Sequence, residues 1–143
     1  TYRKAIDDYL ESPEKYRENL EWYREEIGKC TYREFTTGFY FGKPGSDTQI
    51  YDSSTYVKNY TYLGTVEETD GRGLGRIEQK NKFSVGETIE IMKPDGRNVE
   101  VTVKGIFRED GESQESAPHP QQVLFIDLDG QAEPYDILRK RED

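Results

Sequence analysis

The first 29 residues carry apolar side chains at helical spacing. Four of them recur at steps of four, three and four, the period of one helix face: Tyr16, Leu20, Tyr23 and Ile27. Ser12-Pro13-Glu14 predicts the start of this helix, because serine caps, proline suits the first helical position and glutamate complements the dipole. Gly28 is the expected stop.

An earlier helical piece has its own apolar face, formed by Ala5, Ile6, Tyr9 and Leu10. Two helices with an apolar and aromatic stripe need a surface to lie on. Two partners remain open for this stripe: the chain's own second domain, or a domain upstream of this chain.

Residues 30–58 show no clear period. The run 31–41 is rich in threonine and aromatic residues and predicts a strand, 42–47 is turn chemistry, and 49–58 is typical of a polar linker. We therefore expect a boundary near residues 56–59.

From Tyr60 onward the period changes to two, which is typical of strands with one buried face. Strands are predicted at 60–67, 74–79, 88–91, 99–104 and 122–128, with a short closing element at 136–139. Leu124, Ile126 and Leu128 are expected to point inward. Turns are predicted at 70–73, 94–96 and 110–111, and 82–87 is expected to be a loop with apolar plugs.

Short strands at close spacing favour a small closed antiparallel β-barrel preceded by an α-helical segment. The predicted division is residues 1–58, a helical segment and linker, and residues 59–143, the barrel. No internal repeat appears in the sequence.

The composition predicts a folded chain with a small hydrophobic core. Hydrophobic residues are 32% and charged residues 34% of 143, but 11 Tyr, 6 Phe and 1 Trp supply much area to bury. The net charge is −9. Residues 59–143 hold 11 Lys and Arg and 18 Asp and Glu, a net charge of −7, against −2 for the rest. RNA binding would therefore need a local basic patch within an unfavourable field.

The chain has one cysteine, so it forms neither an internal disulfide nor a cysteine-based metal cluster. This usage fits a reducing compartment, and no stretch of the sequence predicts a membrane span or a signal peptide. We expect a cytoplasmic protein. Because the chain starts at Thr1 without a methionine, we also expect it to be a fragment of a longer protein; N-terminal processing is the alternative.

The candidate chemistry is sparse, and each candidate has an ordinary structural alternative. His119 lies between prolines and is either a hydrolase histidine or a structural histidine in a rigid turn; the second is favoured. Cys30 follows a helix end, where the dipole disfavours a thiolate. The run 71–75 is glycine-rich like a phosphate loop, but it lies between two strands. The spacing of Asp127, Asp129 and Glu133 matches no calcium loop.

One basic and aromatic patch is a candidate for nucleic-acid binding. Its residues are Arg76, Lys80, Asn81, Lys82, Phe83 and Arg97. Phe83 would stack on a base while the cations meet phosphates. The alternative, which the acidic composition favours, makes Phe83 a core residue and the cations ordinary surface charge.

Several segments together resemble one known family. In chain order they are 60–66, 77–83, 85–91, 117–122 and 136–139, with 32–39 and 41–44 upstream. These segments look like the C-terminal domain of peptidase family U32, the collagenase-like proteases, and the stretch that joins it to the catalytic domain. Thr31-Tyr32-Arg33 stands where the family commonly has Ser-His-Arg, so a role for that histidine is not carried over.

The resemblance implies a parent described as a peptidase, with bacterial relatives that take part in RNA hydroxylation and whose cysteines hold an iron–sulfur cluster. Those cysteines belong to the catalytic domain and are absent here. The barrel also looks like the second domain of elongation factor Tu, a type of barrel that binds RNA or protein.

We therefore expect a non-catalytic accessory domain, without a cofactor, that binds or positions RNA or a ribonucleoprotein, with Arg76, Lys80, Asn81, Lys82, Phe83, Arg97 and His119 as candidate binding residues. The alternative is a protein-binding module that docks its own catalytic domain or a peptide or collagen-like substrate.

Overall fold

The computed structural model describes residues 1–30, 37–46 and 59–142. The Cα positions divide into two compact units, residues 1–59 and residues 60–143, which are called the helical unit and the sheet unit below. The predicted linker at 49–58 and the first part of the predicted strand at 31–41 lie outside the described residues.

The described end of that predicted strand is a turn, so this prediction is wrong there. Tyr40 N–H donates to the Thr37 carbonyl at 3.0 Å, and Gly42 N–H donates to the Phe39 carbonyl at 3.3 Å. Such bonds between near neighbours close turns and leave no ladder for a strand. Aromatic content alone was a poor guide to this segment.

The described part of the helical unit contains α1 (Tyr2–Glu11), α2 (Pro13–Glu18) and α3 (Leu20–Gly28). The predicted start is confirmed, because Ser12 Oγ accepts from Lys15 N–H at 3.1 Å and Pro13 opens α2. The predicted second helix is divided in two at Asn19, whose φ of −91° and ψ of 4° leave the helical range. Asn19 Nδ2 donates to Asp8 on α1 at 3.0 Å.

Aromatic rings fill the space between the three helices. Tyr16 contacts Tyr9 edge-on at 5.7 Å and stacks on Tyr23 at 5.6 Å, and Tyr23 contacts Trp22 at 5.7 Å, all between ring centroids. Tyr23 is buried. Part of the predicted apolar stripe therefore packs against other side chains of the helical unit itself.

The sheet unit is antiparallel throughout. Its described residues form ten strands: β1 (Tyr60–Thr69), β2 (Gly75–Glu78), β3 (Phe83–Ser84), β4 (Thr88–Met92), β5 (Asn98–Thr102), β6 (Gly105–Phe107), β7 (Ser113–Gln114), β8 (Ser116–Ala117), β9 (Val123–Asp127) and β10 (Ile137–Arg141). Eight of them pair in the order β5-β4-β10-β1-β2-β9-β6-β7, and β3 pairs with β8. The mainly β class, with helices before the sheet, is confirmed.

The core lies on the concave face of this curled sheet. Alternation places every second residue there, and Leu124, Ile126 and Leu128 are fully buried as predicted. The same face receives Leu63, Val66, Ile77, Phe83, Ile89, Ile91, Val103, Ile106, Ala117, Ala132 and Leu138.

The predicted closed barrel is replaced by a curled, open half-barrel. Among the described strands, β5 and β7 end the hydrogen-bonded order and do not pair with each other. The physical reason is that the consecutive strands β5 and β6 do not pair with each other. At residues 103–104 the chain leaves its pairing with the β4 side and passes to β9. Val103 N–H donates to the Glu87 carbonyl at 3.0 Å, and Lys104 N–H donates to the Asp127 carbonyl at 2.9 Å.

A bulge in β1 changes which residues face the core. The pairing register with β10 shifts between Tyr62 and Gly64, so Leu63 and Gly64 are both buried. Gly64 has a φ of +158°, and a Cβ there would lie 3.0 Å from the Glu78 carbonyl oxygen. Glycine is therefore required where β1 crosses the end of β2.

Candidate nucleic-acid interface

Arg76 lies on β2, between β1 and β9. It stands opposite Glu68 on one neighbour and Phe125 on the other. Its guanidinium forms an ion pair with Glu67 and lies 3.6 Å from Glu68 Oε1. Arg76 is therefore a neutralised cation on the convex face of the sheet.

Residues 79–82, between β2 and β3, form a short polar loop anchored on β1. Lys80 N–H donates to the Leu63 carbonyl at 2.8 Å, and Asn81 Nδ2 donates to the Tyr62 carbonyl at 2.7 Å. The Lys80 ammonium forms an ion pair with Glu78, whose hydrogen bond raises the pKa of Lys80. Lys82 is exposed. The structure thus brings four of the candidate residues together, Arg76 with Lys80, Asn81 and Lys82, along β2 and the loop after it.

Phe83 does not present its ring to solvent. It is fully buried in the core, and β3 holds it opposite Ala117 of β8. The adjacent Gln79 is also fully buried and donates to the Asn81 carbonyl at 3.0 Å. The alternative that makes Phe83 a core residue fits this position, and a base has no access to its ring.

Arg97 lies apart from the loop after β2, whereas the loop that bears His119 contacts the start of it, because Gln121 N–H donates to the Gln79 carbonyl at 2.7 Å. Arg97 is in the turn between β4 and β5, where its Nε donates to Asp95 Oδ2 at 2.7 Å. His119 is exposed between β8 and β9, and its carbonyl accepts from Gln122 N–H at 3.3 Å. No hydrogen bond or ion pair of the described residues joins either of them to the β2 loop.

A buried lysine, Lys93, joins the loop that follows β4 to the loop that precedes β10. The sequence pattern did not predict its burial. Lys93 is 7% exposed, and its Nζ donates to Asp136 at 2.7 Å, to Glu133 at 2.8 Å and to the Gln131 carbonyl at 2.6 Å. Burial opposes the charge of Lys93, but its hydrogen bonds to the two carboxylates outweigh burial and raise the pKa. Lys93 precedes a Pro-Asp-Gly turn, where a lysine ordinarily indicates an exposed residue.

A second missed cation is Arg139 on β10. Its guanidinium forms an ion pair with Glu90 on β4 and lies 5.1 Å from the ring of Tyr60. Beside them, a groove of about 550 Å³ runs along β4 and β10 and is lined by charges of both signs, including Glu87 and Lys140. Four glutamates and two basic residues line this groove, so its net charge is negative and does not favour a polyanion.

The helical unit is organised around a buried carboxylate. Asp8 Oδ2 accepts from Tyr23 Oη at 2.6 Å, from Lys4 Nζ at 2.8 Å and from Asn19 Nδ2 at 3.0 Å. The hydrogen bonds from Lys4 and Tyr23 lower the pKa of Asp8 to about 2. Burial, followed by the hydrogen bond to Asp8, raises the pKa of Tyr23 to about 12.

The outer face of α1 is apolar and uncovered by the rest of the described helical unit. Tyr2, Ile6, Tyr9 and Leu10 are between 56% and 76% exposed. With Ala5 and Tyr16 they line a shallow groove of about 440 Å³. Exposed apolar patches of this kind mark interaction surfaces.

Two kinds of feature do not occur in the described residues. They contain no group of three or more His, Cys, Asp or Glu side chains arranged to hold a metal ion. Cys30, the one cysteine of the sequence, is exposed and forms no disulfide. No helix in the described ranges is long and apolar enough to cross a membrane.

Residues 58–139 match the model of the peptidase family U32 C-terminal domain, which is more than half of the chain. The chain belongs to the peptidase U32 family. The resemblance predicted from the sequence segments is therefore confirmed, and the sheet unit corresponds to the U32 C-terminal domain.

Curated relatives of this U32 chain have names that concern RNA. It is 33% identical over 140 residues to tRNA hydroxylation protein P1 of Bacillus subtilis, across 97% of this chain and 33% of that protein. It is 30% identical over 126 residues to tRNA hydroxylation protein P of Escherichia coli, across 87% of this chain and 27% of that protein. The chain spans a third or less of the length of these relatives. Nothing in their names supports the expected link to proteolysis.

Two crystal structures of the C-terminal domain of a protein described as a U32 peptidase from Geobacillus thermoleovorans share the fold. One, in its selenomethionine form, is 28% identical with a TM-score of 0.51 and covers 56% of this chain and 99% of that chain. The other is 26% identical with a TM-score of 0.50, covering 57% and 92%. These shares are close to the share of the chain that the sheet unit occupies, whereas the similarity to protein P1 extends over 97% of the chain and so includes the helices.

Proposed function

We propose that this chain is a non-catalytic part of a larger U32 protein and that its sheet unit binds and positions RNA. The observation that carries the proposal is its similarity to the two tRNA hydroxylation proteins, over nearly all of this chain but a third or less of theirs. The remaining length of such a protein has room for the residues that perform the chemistry. A cytoplasmic location stays a prediction.

The loop after β2 is the surface best suited to a phosphate backbone. Lys82 is exposed and forms no hydrogen bond or ion pair within the described residues. Lys80 is 40% exposed and its partner Glu78 is 39% exposed. Ion pairs this open to water are weak, so Lys80 can exchange its carboxylate for a phosphate at little cost. Because Glu67 and Glu78 remain nearby, we expect modest affinity and strong salt dependence.

Binding of fluorescently labelled transfer RNA, measured by anisotropy at several salt concentrations, tests the proposal. Each lysine that meets a phosphate adds about one to the slope of log K against log salt, so the Lys80→Ala/Lys82→Ala variant should lower that slope by about two. Arg108→Ala is the control, because Arg108 is an equally exposed cation that pairs with Glu112 in the β6–β7 turn. The absence of wild-type binding, or an equal loss in the control, would contradict the proposal.

A second candidate function is docking of the rest of the larger protein on α1. The exposed apolar face of α1 favours it, as does the continuation of the similarity to protein P1 through the helices. In a full-length protein, Leu10→Asp should then lower the unfolding temperature by more than it does in this chain alone, where only the poor fit of aspartate to the last turn of α1 acts. Glu18→Lys, on exposed α2 surface, is the control. Equal unfolding temperatures of the full-length protein with and without Leu10→Asp would exclude the docking role.

A further inference from the structure

The turn at residues 133–136 holds a tyrosine in a conformation that suits glycine. Asp136 N–H donates to the Glu133 carbonyl at 3.2 Å, Pro134 occupies the second position, and Tyr135 in the third has a φ of +75°. Proline followed by a positive φ is the signature of a type II turn, whose third position favours glycine or asparagine. A bulky aromatic residue is strained there.

The ring of Tyr135 is exposed although its backbone is firmly held. Tyr135 is 78% exposed, while its N–H donates to the Val66 carbonyl at 2.8 Å. The next residue, Asp136, is fully buried against Lys93, and Ala132 on the other side is also buried. The exposure of the ring therefore does not come from a loose loop, and a rigid backbone presents the ring to solvent.

An exposed guanidinium belongs to the turn coupled to this one. Lys93, which donates to three acceptors of the 131–136 loop, also donates its N–H to the Arg97 carbonyl at 2.8 Å. The Arg97 side chain is 71% exposed, and its pair with Asp95 is open to water. The charge of Arg97 also contributes, after that of Lys93, to lowering the pKa of Glu133. Arg97 is thus close to the turn that bears Tyr135.

The surroundings of the ring fit a nucleic-acid base better than a protein. Neither the 131–136 loop nor the 93–97 turn carries another exposed large apolar side chain among the described residues. Protein hot spots lie in packed apolar clusters. Stacking of a base needs only one aromatic face, with a cation in reach of the phosphate.

We propose that Tyr135 is a stacking platform for an unpaired RNA base and that Arg97 contacts the adjacent phosphate. This inference rests on the proposed function and places a second contact point away from the β2 loop. The proposal accounts for a tyrosine at a strained position, because asparagine or glycine would fit the backbone there but could not stack on a base.

The test compares Tyr135→Asn and Tyr135→Phe with the wild-type chain, using transfer RNA as the probe. Asparagine tolerates the positive φ, so Tyr135→Asn should keep or raise the thermal stability. Its dissociation constant should rise by roughly 5- to 100-fold, the range that loss of one aromatic stacking contact gives. Tyr135→Phe keeps the ring and should bind like wild type. Arg97→Ala, which leaves the turn at 133–136 intact, should lower the salt slope by about one.

The outcomes separate the two proposals. If wild type binds transfer RNA but Tyr135→Asn binds equally well, the stacking role is wrong and the proposed function stands. If wild type binds no RNA at either low or physiological salt, both are wrong. If Tyr135→Asn loses stability, the result for Arg97→Ala decides, and an unchanged salt slope overturns the assignment.

Discussion

Asp8 illustrates how much of the helical unit depends on one buried charge. The carboxylate is 4% exposed and accepts from three donors in the described helices and the joint between them: Lys4 on α1, Asn19 between α2 and α3, and Tyr23 on α3. A buried carboxylate with this many donors favours its ionised form. The helices are therefore held in register by a group whose charge depends on pH.

We predict that the helical unit loses stability as pH falls from about 4 to about 2. The pKa of Asp8 is lowered from 3.8 to about 2 in the folded state, so its contribution is complete above 3.8 and disappears as pH falls through the folded value. Trp22 lies against Tyr23, so its fluorescence reports on this unit during urea unfolding at each pH.

The Asp8→Asn variant should be less stable at neutral pH and should lack most of this acid dependence. Asp7→Asn is the matched control, because Asp7 is an exposed neighbour that pairs only with Arg3 within the described residues. An acid dependence that survives in Asp8→Asn would show that another group is responsible.

A glycine in β1 gives a second prediction at this scale. A Cβ at position 64 would lie 3.0 Å from the Glu78 carbonyl oxygen on a backbone with positive φ. Gly64→Ala should therefore destabilise the sheet unit by about 1–3 kcal/mol. Gly71→Ala, where a Cβ would meet nothing within 4 Å, should change the stability by less than about 0.5 kcal/mol. Denaturant unfolding followed by the amide signals of β2 measures both, and equal effects would refute this explanation.

At the scale of the elements, local chemistry was predictable from sequence wherever one signal was strong. The cap at Ser12, the turns at 70–73 and 94–96 and the buried face of β9 all rest on short patterns with a single favoured conformation. Elements that depend on tertiary contacts were not predictable. Strands β3 and β8 have two residues each, too few for a periodic signal. Asn19, which follows the end of α2, donates to Asp8 on α1, a contact that the local pattern does not contain.

The candidate site divides in the same way. Arg76, Lys80, Asn81 and Lys82 were found because they are close in sequence and follow one strand. Lys93 was missed because its burial arises only when two loops 40 residues apart are brought together. Tyr135 was missed because the third position of its turn ordinarily indicates glycine or asparagine, not tyrosine. Phe83, the aromatic residue of the sequence patch that was considered for base stacking, is instead in the core.

The pairing of these two loops leads to a further prediction. Lys93→Met should destabilise the sheet unit by about 3–5 kcal/mol, since it leaves Asp136 buried without its counter-charge. Lys104→Met removes an exposed pair with Asp129 at 3.4 Å and should cost about 0–1 kcal/mol. Hydrogen exchange of the β9 and β10 amides measures both. An effect of Lys93→Met no larger than that of Lys104→Met would contradict this explanation.

At the scale of the whole molecule, the net charge and the length of the chain limit how it can bind RNA. The net charge of −9 opposes long-range attraction of a polyanion, so binding must rely on local contacts on the β2 loop and the turn bearing Tyr135. The chain also spans only a third of the length of protein P1. A module of this kind would position RNA, and the affinity of the full protein would come from several such surfaces together.

The most direct test of RNA binding is an NMR titration of the isotope-labelled chain with transfer RNA at two salt concentrations. The account predicts salt-sensitive shifts confined to two places: residues 76–82 and the pair of turns that hold Arg97 and Tyr135. Shifts in neither place at low salt would contradict it, and shifts confined to the apolar face of α1 would identify that face as the site of contact instead.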